Sequence, residues 1–415
     1  MGSAPKTGLA AAAVILGLVS GVGPFAVNTY FPAFDEMGRN LLADPVMMQV
    51  TLTLYLVGFA ASSLFMGGIS DALGRKRVLF WGLAGFAAAN FLTAFALDYG
   101  ALCLLRLIQG LCAGVSQVVT QAVVRDRFSG LAATRLNSLI AVVFQIAPAA
   151  APVIGGYIVI FLNWEGVFFF LAAYGLLCCA IVKGFLPETL PKERRAQLNA
   201  RDFLKSYRRV LTSPAFMFGV FANGAFFSGA ILYTAASADI VLHIFRMGPE
   251  DFAAFCLPLV FSAVAGALLC APLVKRFGGK KVIAATFAAA IIIGAGTALT
   301  DMALHLAYPW AMAGALLFRS AAGIIQPEMS TMNLDYFPRE RGCAASVQQC
   351  LQSLSFAVST GVLVPLGMGS MLSYVLISAA CAALGCALWG ASLHFRGKAL
   401  ASSGVPEEHF WHAGR

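Results

Sequence analysis

Long, mostly apolar stretches recur along the entire chain and constrain its fold more than any other feature. A helix needs about 20 mostly apolar residues to cross a lipid bilayer. Twelve stretches of about this length lie at 9–31, 46–70, 78–97, 100–123, 136–161, 164–186, 215–237, 252–274, 282–300, 306–332, 343–366 and 370–393. We therefore predict an all-α integral membrane protein with twelve transmembrane helices.

The composition agrees with this prediction. The chain is 60% hydrophobic and 11% charged, whereas a soluble domain carries about 25% charged residues. Most of its surface should therefore face lipid. The 10 cysteines have neither the CxxC nor the Cys/His spacing of a metal or redox site, so we expect them to pack as small apolar residues. No metal and no cofactor is expected.

The basic residues sort to one side of the predicted membrane. If both termini lie in the cytoplasm, only Arg39 and Arg246 of the 28 Lys and Arg residues fall on the outer side. Arg106 and Arg319 fall inside spans. The positive-inside rule predicts this asymmetry for a protein of the inner (plasma) membrane. The net charge of +9 therefore indicates a membrane surface and no nucleic-acid partner.

The spans divide the chain into two similar halves. We predict a six-helix first half (1–186), a basic cytoplasmic linker (187–214), a six-helix second half (215–393) and a cytoplasmic tail (394–415). An Arg followed by a Gly four residues later occurs in spans four and ten, as parallel repeats would show. The linker contains a possible amphipathic helix around 201–211. Its apolar side would carry Phe203, Leu204, Tyr207 and Leu211.

A glycine-rich basic loop joins the second and third spans. Gly67 and Gly74 suit a tight turn between helices. Asp71 can bond a helix N-terminus, while Arg75 and Lys76 can hold carboxylates or lipid phosphates. Such a latch would close the cytoplasmic side in one state and open in the other. An ordinary cytoplasmic loop would explain the basic residues, but not Asp71 and Gly74 at this spacing.

This loop resembles the GxLxDxxGRK motif of the major facilitator superfamily, with Ile69 in the Leu position. In span four, Arg106, Gln109 and Gly110 resemble the family's RxxQG motif. The corresponding loop of the second half, VKRFGGKK, is a degraded copy that lacks the acid.

Span five carries Pro152, Gly155 and Gly156, which resemble the PxxGG end of the family's antiporter motif. These residues would let the helix bend and pack closely, either as a gate or as ordinary helix packing. VNTYFPAF, AVVRDRF and LPETL further resemble the Bcr/CflA branch of drug efflux carriers. The resemblance implies proton antiport and drug-like substrates.

Arg106 is a cation inside a predicted span, and such charges mark functional sites by default. Gln109, Gln117 and Gln121 lie within about 60° of it on the helix. This stripe indicates either a cavity wall that handles substrate or protons, or polar contacts between helices. Further possible cavity-lining groups are Tyr30, Tyr55, Gln145, Asn223 and Tyr233.

Arg319 is the second intramembrane cation, in span ten. Two buried cations in facing halves would suit an anionic substrate, although a nearby acid or carbonyl could equally neutralise Arg319. Glu328 follows nine residues later, roughly 180° around a straight helix, so the two should not pair directly.

Asn28 departs from the related carriers, which usually have an Asp at this position. Asn cannot titrate, so it cannot bind the coupled proton. Glu328 is our candidate for that role, although it could also be a helix-end carboxylate exposed to cytoplasmic water.

The sequence thus predicts a secondary active transporter that works by alternating access, most simply as a proton-driven exporter of drug-like small molecules. The two intramembrane arginines suggest a carrier of an organic anion as an alternative. A non-transporting membrane receptor is an alternative of another class. The sequence contains no GxxxxGK[ST] loop, so we do not expect it to use ATP. It also contains no HExxH motif and no clear Ser/His/Asp set, so we do not expect an enzyme. A monomer is expected.

Overall fold

The computed structural model describes residues 9–128, 130–191, 195, 200–248, 251–304, 308–337 and 340–403. These residues form helices joined by short turns, and none of them lies in a β-strand. The predicted all-α membrane fold is confirmed at this level. Most of the predicted tail lies outside the described residues, as does the side chain of Gln145.

The helices are, in chain order, α1 (Leu9–Asn28), α2 (Phe34–Asn40), α3 (Pro45–Leu73), α4 (Arg75–Thr93), α5 (Tyr99–Arg127), α6 (Gly130–Phe185), α7 (Ala200–Leu211), α8 (Pro214–Ala235), α9 (Phe252–Phe277), α10 (Gly279–Leu304), α11 (Ala313–Leu334), α12 (Arg341–Val358), α13 (Val364–Gly367) and α14 (Met371–Ser403). Short 3₁₀ turns lie at Phe31–Ala33 and Trp310–Met312, and π-helical turns lie at Asp239–Ile244 and Ser359–Leu363.

Nine segments of the described residues are long and apolar enough to cross a membrane. The predicted fifth and sixth spans fall in α6, which breaks at Asn163, where φ is 55° and ψ is −173°. The predicted third and tenth spans, α4 and α11, are not among the nine. The former begins with three basic residues, and the latter contains an arginine and a glutamate. The count of twelve therefore stays a prediction.

Two helix pairs make backbone contact through glycines at corresponding places. Gly110 of α5 faces the main chain of α3, and Gly323 of α11 faces the main chain of α9. A Cβ at either glycine would overlap main-chain atoms. Small residues allow membrane helices to approach this closely. Each glycine follows an intramembrane arginine by four residues, so this packing agrees with the predicted repeat.

The linker contains the expected amphipathic helix, α7. Tyr207 donates a hydrogen bond from Oη to the Leu64 carbonyl of α3 at 2.9 Å. Burial raises the pKa of Tyr207 to about 12, so the phenol remains a donor at neutral pH. One part of the predicted apolar side is wrong: Val210 is fully buried against α8 and α12, whereas Leu211 is exposed.

Candidate functional site

A central cavity of about 270 Å³ opens between helices of both halves. α1, α5, α8 and α11 all contribute to it, as do α3 and α12. Its polar lining consists of Asn28, Tyr55, Gln117, Thr234, Arg319, Gln326, Gln349, Gln352 and Ser353. Phe59, Phe227 and Phe356 supply aromatic surface. Among the described lining residues there is no Asp or Glu, so the cavity has cationic and amide donors but no anion.

Arg319 is the charged group of this cavity. It also lines a neighbouring space of about 280 Å³, together with Gln326 and Gln352, so the two spaces meet at its side chain. Its Nη1 lies 3.4 Å from the Ala230 carbonyl of α8, and its Nε has no hydrogen-bond partner among the described residues. Among the described residues one carbonyl is thus its hydrogen-bond partner, and the side chain borders both spaces.

Arg106 lies in a closed aromatic box and does not line the cavity. Its side chain is 0% exposed, and its Cζ lies 4.3 Å from the ring centre of Tyr30 and 4.5 Å from that of Tyr55. Nη1 donates to Gln109 Oε1 at 2.7 Å. The ring faces stabilise the cation where water is excluded. Of this group, only Tyr55 reaches the cavity.

The polar stripe on α5 divides between two roles. Gln109 is buried and donates to Thr93 Oγ1 of α4 at 2.7 Å, so it joins helices. Gln117 lines the central cavity. Gln121 is half-buried and is not among the residues that line the cavity. The structure thus places one member of the stripe at the cavity and ties another to the Arg106 box.

Asn28 lines the cavity at the end of α1. Its Nδ2 donates to the Pro24 carbonyl at 2.7 Å, and its Oδ1 has no partner among the described residues. Pro152, Gly155 and Gly156 are buried beside this helix end. A Cβ at Gly155 would overlap the main chain at Thr29, so the PxxGG glycine lets α6 touch the backbone next to Asn28.

Glu328 is not among the residues that line either space. Its carboxylate packs against the start of α10, where a Cβ at Gly279 would overlap Oε1. Helix N-termini stabilise negative charge. No ion pair joins Glu328 to Arg319 among the described residues. Its role in proton coupling stays a prediction, and this geometry agrees equally with the alternative of a helix-end carboxylate.

The glycine-rich loop forms a polar cluster around Arg75. The side chain is buried and pairs with Asp71 four residues earlier. Its Nε donates to Asp126 Oδ2 at 3.0 Å, and its Nη1 donates to Ser70 Oγ at 2.6 Å. The backbone N–H of Arg75 donates to Glu188 Oε1 at 2.9 Å. Three carboxylates, two from the first half and one from the start of the linker, thus converge on one residue.

Glycine is required at the centre of this cluster. Gly74 has φ of 100°, and a Cβ there would lie 2.6 Å from Glu188 Oε2. Gly67 is half-buried one turn before the cluster. Lys76 donates from Nζ to the Lys183 carbonyl at 2.8 Å, which ties the loop to the end of α6.

Sequence reasoning missed Asp126 and Glu188 as members of this cluster. Both lie in the stretches that resemble the Bcr/CflA branch, Asp126 in AVVRDRF and Glu188 in LPETL. The structure explains why these stretches matter, because each supplies a carboxylate to Arg75. In the corresponding loop of the second half, Arg276 lies against the ring of Phe277, 5.1 Å from its centre.

A cavity that lies between membrane-spanning helices of both halves and carries amide groups and one arginine is typical of a membrane carrier of small molecules. Comparison with known proteins identifies the family of carriers to which the chain belongs. The profile of the Major Facilitator Superfamily matches residues 14–360, and the chain belongs to this family. It is a multi-pass transporter of the inner membrane.

Two curated relatives cover most of the chain. The bicyclomycin resistance protein homolog of Haemophilus influenzae is 30% identical over 345 residues, which are 83% of this chain and 85% of the relative. Multidrug resistance protein D of Escherichia coli K12 is 24% identical over 361 residues, or 86% and 90%. The predicted superfamily and its Bcr/CflA branch are confirmed.

Solved structures agree on the fold. A bacterial homolog of the human lysosomal transporter Spinster, in an inward-facing and unoccupied conformation, superposes with a TM-score of 0.73. The alignment covers 95% of this chain and 99% of that chain at 14% identity.

Proposed function

We propose that this carrier exports small drug-like molecules by alternating access and that the proton gradient drives export. The central cavity carries the proposal, because α1, α3 and α5 of the first half and α8, α11 and α12 of the second half line it together. Rocking one half against the other would expose such a cavity to each side in turn. The names of the two relatives, which describe bicyclomycin and multidrug resistance, support drug efflux.

The proposed topology has twelve spans with both termini in the cytoplasm and a monomeric carrier. The break at Asn163 supports it by dividing α6 into two helices. The basic residues support it as well, since nearly all of them then fall on the cytoplasmic side.

The lining of the cavity favours neutral or anionic molecules with several hydrogen-bond acceptors. Gln117, Gln326, Gln349 and Gln352 offer amide donors, and Arg319 adds a positive charge. A lipophilic cation would meet no opposite charge among the described lining residues. The open donors of Arg319 make a carrier of organic anions the second candidate function.

Flux in proteoliposomes under an imposed proton gradient tests the proposal. Three probes would be compared: a lipophilic cation, a neutral amide-rich drug and an organic carboxylate. We expect the neutral probe to move only with the gradient, and a protonophore should stop it. Movement of the carboxylate alone would favour the second candidate. Gradient-driven movement of the cation alone would contradict the argument from the cavity lining.

A further inference from the structure

A histidine bridges the two halves on the predicted outer side. His243 lies in the turn Asp239–Ile244 after α8, in the second half, and Asp35 lies in α2, in the first half. His243 Nε2 is 3.6 Å from Asp35 Oδ2, and Nδ1 is 3.5 Å from Asp239 Oδ1. The imidazole therefore has a carboxylate at each nitrogen, one from each half of the carrier.

One of these carboxylates is fixed in place. Asp239 Oδ2 accepts hydrogen bonds from Tyr374 Oη of α14 at 2.8 Å and from the Gly369 backbone N–H at 3.0 Å. Its Oδ1 is left to face the histidine. Asp239 thus anchors His243 to the second half, while Asp35 supplies the contact that can open and close.

Among the described residues, one further charged group lines the cleft around the bridge. The three residues line a cleft of about 250 Å³ that Arg39 of α2 also lines, and Tyr374 touches Asp239 from α14. From α3, the cleft receives Pro45, Met48 and Gln49, which carry no charge. The side chain of His243 is 44% exposed, so protons can reach it from water.

The geometry suits a charged imidazole better than a neutral one. A neutral imidazole has a single N–H, so one of its nitrogens would present a lone pair to a carboxylate. An imidazolium has two N–H groups and attracts both carboxylates. Histidine is the side chain that changes charge between pH 5 and 8.

We propose that a proton on His243 locks the outer contact between the two halves by bridging Asp35 and Asp239. Both carboxylates attract an imidazolium at this position, and this attraction is absent when the imidazole is neutral. Two other contacts on this side do not titrate: Thr53 and Thr360 share a hydrogen bond of 2.8 Å, and Gln49 Nε2 reaches the Ala235 carbonyl at 3.4 Å. These two contacts hold the outer side closed at every pH, and the proton on His243 adds further stability to the closed state.

The inference rests on the proposed alternating-access function and adds a direction to it. In an exporter driven by protons, the outer side must close after the substrate leaves. A lock that is strengthened by external protons speeds this return step. Acid outside the membrane would thus act on closure as well as on coupling.

Accessibility of a cysteine behind the lock tests the proposal. Met48 is 1% exposed in this closed arrangement and lines the same cleft, so a Met48→Cys variant reacts with an external, membrane-impermeant maleimide only when the outer side opens. Leu97→Cys, at a position 93% exposed on the same side, corrects for the pH dependence of the thiol reaction. The chain without either substitution gives the background from native cysteines. No transported substrate is needed, so failure here is distinct from failure of the export proposal.

We expect the corrected labelling rate at Met48→Cys to rise about 3- to 10-fold from pH 5.5 to 8, since two partly exposed ion pairs are lost. Adding His243→Gln should give fast labelling at every pH. Adding His243→Lys, which stays charged, should give slow labelling at every pH. A rise as steep in either variant as in the parent overturns the proposal, and so does a rate that falls with increasing pH. Monodisperse elution of each variant checks that it folds.

Discussion

The two intramembrane arginines occupy corresponding places in the two halves but have different surroundings. Arg106 of α5 and Arg319 of α11 each precede, by four residues, a glycine that touches a neighbouring backbone. Arg106 is enclosed by two tyrosine rings and a glutamine. Arg319 has a single carbonyl at 3.4 Å and faces the cavity.

The difference shows how one sequence pattern can serve two purposes. A charge in the membrane must be compensated, and the protein can do this with fixed partners or leave the task to water and ligand. In the first half two ring faces and Gln109 surround the charge, although Nε and Nη2 of Arg106 have no hydrogen-bond partner among the described residues. In the second half the charge borders the cavity, where we expect it to contribute to binding.

The largest expected effect follows from removing Arg106 from its aromatic box. Arg106→Ala empties a fully buried volume and removes two cation–π contacts, and we expect it to destabilise the protein by about 3 kcal/mol. Arg319→Ala is the matched control, since that side chain borders open space and should cost little stability. Thermal unfolding in detergent measures both. Equal losses for the two variants would mean that the contrast in surroundings has no energetic counterpart.

The second effect concerns binding. Arg319→Gln removes a cation from the cavity while keeping an amide, and we expect transport of an anionic or acceptor-rich probe to fall about 10- to 100-fold, as for a lost charged hydrogen bond. Arg319→Lys keeps the charge with fewer donors, so transport of the same probe should fall less in this variant. Initial rates in proteoliposomes measure this, with unfolding temperatures as the control for folding. Unchanged transport in Arg319→Gln would return Arg319 to a structural role.

Much of the fold could be predicted from the apolar stretches because lipid leaves few alternatives to a helix. The sequence also located the PxxGG glycine, whose contact with the α1 end follows from its missing side chain. It could not predict that Tyr30 and Tyr55 enclose Arg106, since these rings come from other parts of the chain. For the same reason, a stripe of polar residues on one helix could not show that only Gln117 reaches the cavity.

The Arg75 cluster gives the same lesson at the membrane surface. Its centre was predictable because Asp71, Gly74 and Arg75 lie together in one loop. Its outer members, Asp126 and Glu188, lie far away in sequence, and only their place in the fold brings them to Arg75. The sequence could not show the contact of His243, because a single histidine in a loop has no pattern and its partner Asp35 belongs to the other half.

A third effect tests whether the close helix packing at Gly110 and Gly323 contributes equally to the stability of the two halves. Gly110→Ala and Gly323→Ala each place a methyl group against a backbone, and we expect each to cost about 1–2 kcal/mol through overpacking. Gly296→Ala in α10, where no atom lies within 4 Å of the added carbon, is the control and should be neutral. Unfolding temperatures distinguish them. A loss of stability in Gly110→Ala without one in Gly323→Ala would mean that the two halves are similar in sequence but do not pack alike.

The smallest effect concerns the missing acid of the cavity. Asn28→Asp introduces a carboxyl group where Nδ2 now donates to the Pro24 carbonyl at 2.7 Å. The protonated form can keep that hydrogen bond, whereas the ionised form brings two acceptors together and is stabilised only by a nearby cation. We therefore expect Asn28→Asp to increase transport of a lipophilic cation a few-fold, by about 1 kcal/mol of added attraction. The gain should grow as the pH rises.

Asn28→Ala separates the effect of charge from that of the lost hydrogen bond, because it removes the donor to Pro24 without adding a carboxylate. Its transport of the cation should stay at the parent level at every pH. Equal gains in the alanine and aspartate variants would show that loosening the end of α1, and not charge, changes selectivity. No gain in Asn28→Asp would mean that Arg319, in the same cavity, still determines which charges enter.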